Sequence, residues 1–582
     1  MKIIYALLFL LILSFVLPLK ISAQHSEDIK IIKQNFDTDP EWENVNNRVN
    51  CSDCPQRTQD FGWAPTNHNG SGPGEIGGTI WKSTTPAYYA MPFGKPLSFK
   101  DAFSASGKIS VIAPDDEGFG LYLGFFGHER QGWRVWSSCG ARIGQFYYNI
   151  EGYPEGVAKW HLDYKTGAAS GAILNPDLAI PGDGSVHTWE FKYEPNVSVA
   201  DMEWPDTRLP KYFPEVGRNI HTDSILIAFQ KEEPSMTKEK LLEILFEARD
   251  KGLVDDWYRK GKYHLWNLEQ EPENIKGRIT FIFDGESVSY FLIPSHQEVP
   301  SAIDRFGFWN MQMYTGSLEF YVSDLMVNNH KIDLSQDPYW DELNNKITFT
   351  ETDFHSRHNY GYSQTNWAGE NIGEIGGRFW GTEVLDPLQG YYAVDIGELN
   401  LEDPIKFSGK INFVEGAVDG RMLIGYFNKE EKLALVKGEY KGNPPNQYLG
   451  LEVMDQTRYG YNITAVCSPT QNISIEERGP IYIPDRIQRE FVFDYDPDAG
   501  VAGRITVTFG EEVFSADLTP EQRKVGATFN RFGLLNPRKG GKYVDVYFDD
   551  LSYSSRKSDS ERERFKQSII EVPYPKWGRK YQ

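Results

Sequence analysis

The sequence predicts an all-β protein: two tandem antiparallel β-sandwich domains, the first carrying a partly helical insertion. Three observations point there. Short runs rich in Tyr, Phe, Val and Ile alternate with turns bearing Gly, Pro, Asn and Asp, as at 120–126, 143–150, 188–193, 279–283 and 318–322. The composition agrees, with 14% aromatic residues, 53 Gly and 33 Pro in 582 residues, a mixture suited to strands and turns. The third observation is internal repetition.

Gly74-Glu-Ile-Gly-Gly-Thr-Ile-Trp81 recurs as Gly373-Glu-Ile-Gly-Gly-Arg-Phe-Trp380, an offset of 299 from Gly74 to Gly373. Thr66-Asn67, Tyr88-Tyr89-Ala90, Ser106-Gly107-Lys108-Ile109 and Leu123-Gly124-Phe125-Phe126 have counterparts at Thr365-Asn366, Tyr391-Tyr392-Ala393, Ser408-Gly409-Lys410-Ile411 and Ile424-Gly425-Tyr426-Phe427. Later the offset falls to 226, where Arg305-Phe306-Gly307 matches Arg531-Phe532-Gly533. The first copy is therefore longer, and the surplus lies at about 196–275. That segment holds a Pro-rich stretch and an apolar pattern that predicts a helix over 237–251, stopped by Gly252. Each copy exceeds 200 residues, so a two-sheet jelly roll fits better than a minimal immunoglobulin-like unit. The expected division is a leader at 1–23, a first sandwich at 24–335, a second at 336–556 and a tail at 557–582.

The leader is read from Lys2, the apolar run from Ile3 to Leu19 and the small-residue site Ile21-Ser22-Ala23, which together predict secretion. A net charge of −22 argues against nucleic acid or an anionic membrane as partner. An acidic protein that takes an anionic glycan must gather its cations locally. Cys51-Ser-Asp-Cys54 reads as a local disulfide in an exported chain, and Cys139 and Cys467 as packed thiols. The acidic openings and endings of the copies suggest a structural calcium ion held by Asp39 and Asp324 with backbone carbonyls.

Candidate chemistry comes from strand alternation. In 143–150 one face shows Gln145, Tyr147 and Asn149, and the other, with Gly144 and Phe146, is expected against the core. The positions matched to Gln145 and Tyr147 in the second copy are Leu451 and Val453, so the site is expected in the first. The segment 157–165 alternates Lys159, His161, Asp163 and Lys165 against Trp160, Leu162 and Tyr164. His128, Arg134, Asn310, Gln312 and Tyr314 border the same expected groove. Tyr147, His161, His128 and Lys159 are the catalytic candidates; Arg134, Gln145, Asn149, Trp160, Asn310, Gln312 and Tyr314 are the substrate-binding ones.

Tyr, His, Lys, Arg and Gln without an evident carboxylate pair suit β-elimination on a uronic acid. Cations or amides neutralise the C6 carboxylate, a base takes the C5 proton, and an acid protonates the leaving O4. Hydrolysis would instead need two positioned carboxylates.

The repeat pattern resembles the concanavalin A/laminin-G-like jelly-roll superfamily, although its Glu-x-Asp-x-x-Glu hydrolase signature is absent. The whole resembles secreted jelly-roll polysaccharide lyases, flavobacterial ulvan lyases in particular. That resemblance implies cleavage of a uronate-containing sulfated algal polysaccharide. The competing readings are a glycan-binding surface protein, an oligouronate dehydratase and a glycoside hydrolase.

Overall fold

The computed structural model describes residues 29–573 apart from 71, 84, 114–119, 130–136, 148–155, 167–170, 175–177, 213–219, 257–261, 265–271, 294–295, 313–315, 353–356, 382–389, 417–419, 432–445, 457–459, 471–472, 483 and 537–542. The protein is all-β, and its described strands build two antiparallel jelly-roll sandwiches.

One unit runs from Cys54 to Asp353. Its nine-stranded sheet has as its central run Lys276–Phe283, Asp183–Ser198, Phe103–Ile112, Ser317–Val327, Glu75–Trp81 and Gln56–Ala64. The facing sheet orders Gly171–Leu174, Val157–Lys165, Ser138–Tyr147, Leu121–Phe126, Ile303–Asn310, Tyr88–Leu97 and Asp341–Leu343. Alternate residues of each strand fill the space between them. Ala158, Trp160, Leu162 and Tyr164 of one strand all enter this core, where Trp160 packs 5.0 Å from Phe281 and 5.6 Å from Phe283.

The other unit combines the segment up to Asp53 with Phe354–Gln582. This departs from the division expected from sequence. Lys30–Gln34 pairs with Tyr543–Ser555, and Glu43–Val45 with Tyr391–Asn400. Conversely, Lys346–Thr350 pairs with Gln56–Ala64, and Asp341–Leu343 with Tyr88–Leu97. The opening segment of each repeat thus completes the sandwich formed by the other.

A repeat at offset 298 records the exchange: Asp39-Pro-Glu-Trp42 and Asp337-Pro-Tyr-Trp340. Trp42 stacks on Tyr392 at 5.6 Å and 28°, Trp340 on Tyr89 at 5.5 Å and 28°. Asn47 Nδ2 donates to Tyr360 O, as Asn345 Nδ2 does to Phe61 O. The tail is tied to the same unit, with Ile570–Val572 parallel to Val49–Cys51.

The insertion forms its own small core around Ile225, Phe229, Leu241 and Leu245. The expected helix spans Lys238–Asp250, capped by the Thr237 hydroxyl and followed by Gly252 at φ 77°. A second helix, Thr222–Glu232, precedes it. The Lys238–Asp250 helix packs on Glu286–Phe291, an edge strand of the nine-stranded sheet. Cys51 and Cys54 are disulfide-bonded, and Cys139 and Cys467 are free and buried.

Candidate functional site

The outer face of the Val157–Lys165 sheet carries a row of large side chains in cross-strand register. Tyr88 lies opposite Trp309, Trp309 opposite Tyr122, Tyr122 opposite Arg142, and Arg142 opposite His161. Directly opposed residues share a face. The Tyr122 and Trp309 rings stack at 5.1 Å with planes 3° apart, and Phe126 closes on Trp309 at 4.5 Å. The Arg142 guanidinium sits 5.8 Å from the Tyr122 ring centroid. Arg142 Nε donates to Asp163 Oδ2 at 3.0 Å, and both residues are buried. Burial alone would depress the Arg142 pKa. The Asp163 carboxylate and the Tyr122 hydroxyl together outweigh it and raise the value, so the guanidinium stays charged.

His161, half-buried, lies over Gly144: a Cβ there would come within 2.3 Å of His161 Nε2. Glycine at 144 is thus what leaves room for the imidazole over its neighbouring strand. Lys159 and Lys165, also half-buried, share the alternation of His161 and Asp163. The structure brings Lys159, His161 and Asp163 together with Arg142 and Tyr122, two residues that strand alternation in the sequence did not select. Arg142 was missed because 138–142 precedes the strand expected at 143–150; the observed strand is Ser138–Tyr147.

That strand also corrects the expected faces. Cys139, Ala141 and Ile143 enter the core, while Gly144 lies on the outer face beneath His161. The ladder then slips: Trp160 pairs with Ile143, but Ala158 pairs with Phe146 and Val157 with Tyr147. One extra residue on the Ser138–Tyr147 strand makes a bulge, which re-aims the residues beyond it. Gln145 and Tyr147 lie on this strand, with only their backbone described. Arg134, Asn149 and Tyr314 lie outside the described residues.

Other expectations are corrected by burial and partners. Trp160 is wholly in the core, with no face toward a ligand. Asn310 is structural: its Oδ1 accepts from Ala87 N at 2.9 Å, and its Nδ2 donates to the carbonyls of Trp81, Ser83 and Thr85. Its repeat counterpart Asn536 accepts from Gly390 N in the same way. Gln312, two residues past the same strand, is fully buried.

His128 lies just past the end of Leu121–Phe126, six residues beyond Tyr122. At about 3.3 Å per residue this is roughly 20 Å from the His161 row. His128 Nδ1 instead lies 2.5 Å from Asp304 Oδ2, and its backbone N–H donates to Asp304 Oδ1 as Lys429 N–H does to Asn530 Oδ1.

Asp39 and Asp324 belong to different units and have other roles. Asp39 accepts from the Tyr392 hydroxyl at 3.1 Å, and Asp324 pairs with Lys108 at 2.8 Å. Their counterparts Asp337 and Asp550 do the same with Tyr89 and Lys410. Among the described residues no group of three His, Cys, Asp or Glu side chains is placed to hold a metal.

The second sandwich offers an internal comparison. A glycine row, Gly307–Gly124–Gly140, recurs as Gly533–Gly425–Gly450 and fixes the alignment. The row beside it reads Tyr391–Leu535–Leu423–Glu452–Thr464. Trp309, Tyr122, Arg142 and His161 are thus replaced by Leu, Leu, Glu and Thr. Leu423 and Leu535 join Phe427, Tyr448 and Val466 in an apolar cluster. Leu451 and Val453 correspond by this register to Ala141 and Ile143, and all four are core residues.

No family model matches the chain, and no curated protein matches it. Among solved structures it is similar to the mouse laminin α1 chain, domains LG4-5, at 10% identity over 80% of each chain with a TM-score of 0.21. It is also similar to an endo-β-1,4-glucuronan lyase from the fungus Trichoderma reesei, at 8% identity over 34% of this chain and 87% of that one, TM-score 0.23. The alginate lyase Aly36B is similar at 11% identity over 33% of this chain and 82% of that one, TM-score 0.22. These are likenesses of general architecture and transfer no residue. Among the described residues no helix is long and apolar enough to cross a membrane.

Proposed function

We propose that the protein is a secreted polysaccharide lyase whose first sandwich cleaves a uronate-containing anionic polysaccharide, of the ulvan-like sulfated kind, by β-elimination. The observation that carries the reading is the outer row: Arg142 and His161, with Lys159 two residues before His161 on the same strand, stand in the first sandwich where the second has Glu452, Thr464 and Asn462.

Lys159 neutralises the C6 carboxylate, which acidifies the C5 proton. His161 takes that proton; imidazole is the side chain whose ordinary range brackets neutral pH. The C5–H and C4–O4 bonds break, a C4–C5 double bond forms, and the protonated His161 passes the C5 proton to the leaving O4. Arg142, held by Asp163, is a positioning residue that fixes the Tyr122 side of the row.

The test is incubation of the full chain with uronate-containing algal polysaccharides, monitored by the ultraviolet absorbance of the unsaturated product. The wild type should produce it, and His161→Ala should lose about 100-fold or more in rate. Undiminished product from His161→Ala would remove His161 from the chemistry. New reducing ends without absorbance would mean hydrolysis, and retention on a glycan matrix with neither would mean binding alone.

A further inference from the structure

The unit completed by the C-terminal segment holds a cavity of about 670 Å³, remote in sequence from Arg142, Lys159 and His161. It opens at the edge of the sheet where Asn359–Ser363 pairs with Glu374–Trp380. Arg48, Tyr362, Tyr547, Gln364, Asn359 and Lys566 line it, over Gly376 and Gly377.

The wall is built by the tail, for which the sequence suggested no role. Phe565 N–H donates to Glu41 O at 2.8 Å, Asn44 Nδ2 donates to Lys566 O at 3.0 Å, Gln567 Nε2 donates to Asp39 Oδ2 at 3.1 Å and Ile570 N–H donates to Arg48 O at 3.0 Å. These bonds hold the Lys566 backbone in the lining that it shares with Arg48. The first sandwich has Lys346 and Pro65 where this one has Arg48 and Gln364.

Arg48 is unusual. Its Nη2 donates to the Tyr362 carbonyl, but its Nε is buried and makes no hydrogen bond among the described residues. Neither Arg48 nor Lys566 has a carboxylate within ion-pair distance among the described residues. The two acidic lining groups are already engaged. Asp39 accepts from Tyr392, Gln567 and the Glu41 amide, and Glu41 lies 3.6 Å from Arg564. Leaving a guanidinium half-buried and unpaired is costly unless an anion completes it. Amides suited to hydroxyl groups and two tyrosine rings suited to a sugar face surround it.

We infer that this cavity is a second, non-catalytic site for an acidic sugar, its carboxylate or sulfate ester taken by Arg48 and Lys566 and its ring laid against Tyr547. The site stands whether or not the first sandwich performs elimination.

Binding is read by calorimetry on the full chain carrying His161→Ala, so that turnover cannot consume the probe. The probes are a β-1,4-linked glucuronate tetrasaccharide, a sulfated neutral tetrasaccharide and unsubstituted cellotetraose. At least one anionic probe should bind ten-fold or more tightly than cellotetraose, and which of the two does so identifies the anion. Arg48→Gln should weaken it by about 10- to 100-fold, and Lys566→Gln severalfold, with the melting temperature of the Lys566 variant unchanged. Because Arg48 also bonds a backbone carbonyl, the Lys566 variant decides if Arg48→Gln fails to fold. No binding by either anionic probe, equal binding of cellotetraose, or affinity indifferent to Lys566→Gln would each overturn the site.

Discussion

Trp42→Ala should destabilise the sandwich formed by residues beyond 354, although Trp42 stands near the N-terminus. Trp42 is 2% exposed and packs against Phe36, Tyr392, Phe532 and Tyr553 at ring distances of 5.5, 5.6, 6.5 and 6.0 Å. Emptying such a site costs about 3–5 kcal/mol, which is roughly 150- to 5,000-fold in an opening equilibrium. The protein supplies its own reporters. Cys139 lies in one core and Cys467 in the other; burial holds Cys139 well above the ordinary thiol range and pushes Cys467 up to about 12. Pulsed thiol labelling read by mass spectrometry should show Cys467 reacting faster by that factor in Trp42→Ala, with Cys139 unchanged. Trp340→Ala should do the reverse. Accelerated Cys139 labelling in Trp42→Ala, with Cys467 protected, would refute the exchange of opening segments.

His296 in the first sandwich and Asp549 in the second should contribute to the pH dependence of stability with opposite signs. Burial lowers the His296 pKa to about 4, with Tyr164 at 3.0 Å from its Nδ1. The unfolded chain therefore binds the extra proton between 6.5 and 4, and stability is lost as pH falls through that window, by up to about 3 kcal/mol. Asp549 is pushed up to about 6, first by burial. Its folded form holds the proton more tightly, so stability falls as pH rises through 6, and Asp549→Asn should stabilise at pH 7 but not below about pH 4. The difference in Cys139 labelling between His296→Asn and the wild type, and in Cys467 labelling between Asp549→Asn and the wild type, checks each sign across this range; a difference independent of pH would contradict it. Gly144→Ala should displace the His161 ring, press on the Lys159 carbonyl at 2.9 Å and so lower the melting temperature as well, and reduce elimination activity by about 10- to 100-fold in protein that remains folded. Unchanged turnover would show that the placement of this imidazole is irrelevant to catalysis.

Much of the architecture was legible because it is written in local periodicity. The helix at Lys238–Asp250 declared itself through its apolar spacing, and the alternation of Lys159, His161 and Asp163 against Trp160 and Leu162 held. The alternation at 143–150 put Gly144 against the core because nothing local in the sequence marks the bulge between Ile143 and Phe146. Asn310 looked like a ligand group because its partners are the backbone carbonyls of Trp81, Ser83 and Thr85, more than 220 residues away. The exchange of opening segments does leave a signal, the Asp-Pro-x-Trp repeat at Asp39 and Asp337, but the repeat alone does not say which sandwich each copy joins.

By itself the sequence determined that strands form, that the unit is duplicated, and which residues of most strands share a face; these depend on side-chain size and a period of two. The tertiary structure decided which sandwich each opening segment completes. It also aligned Tyr88, Trp309, Tyr122, Arg142 and His161 into one row, and set the tail beside Arg48. Strand order and register are chosen by packing between segments hundreds of residues apart, and a shift of a single residue moves every side chain to the other face.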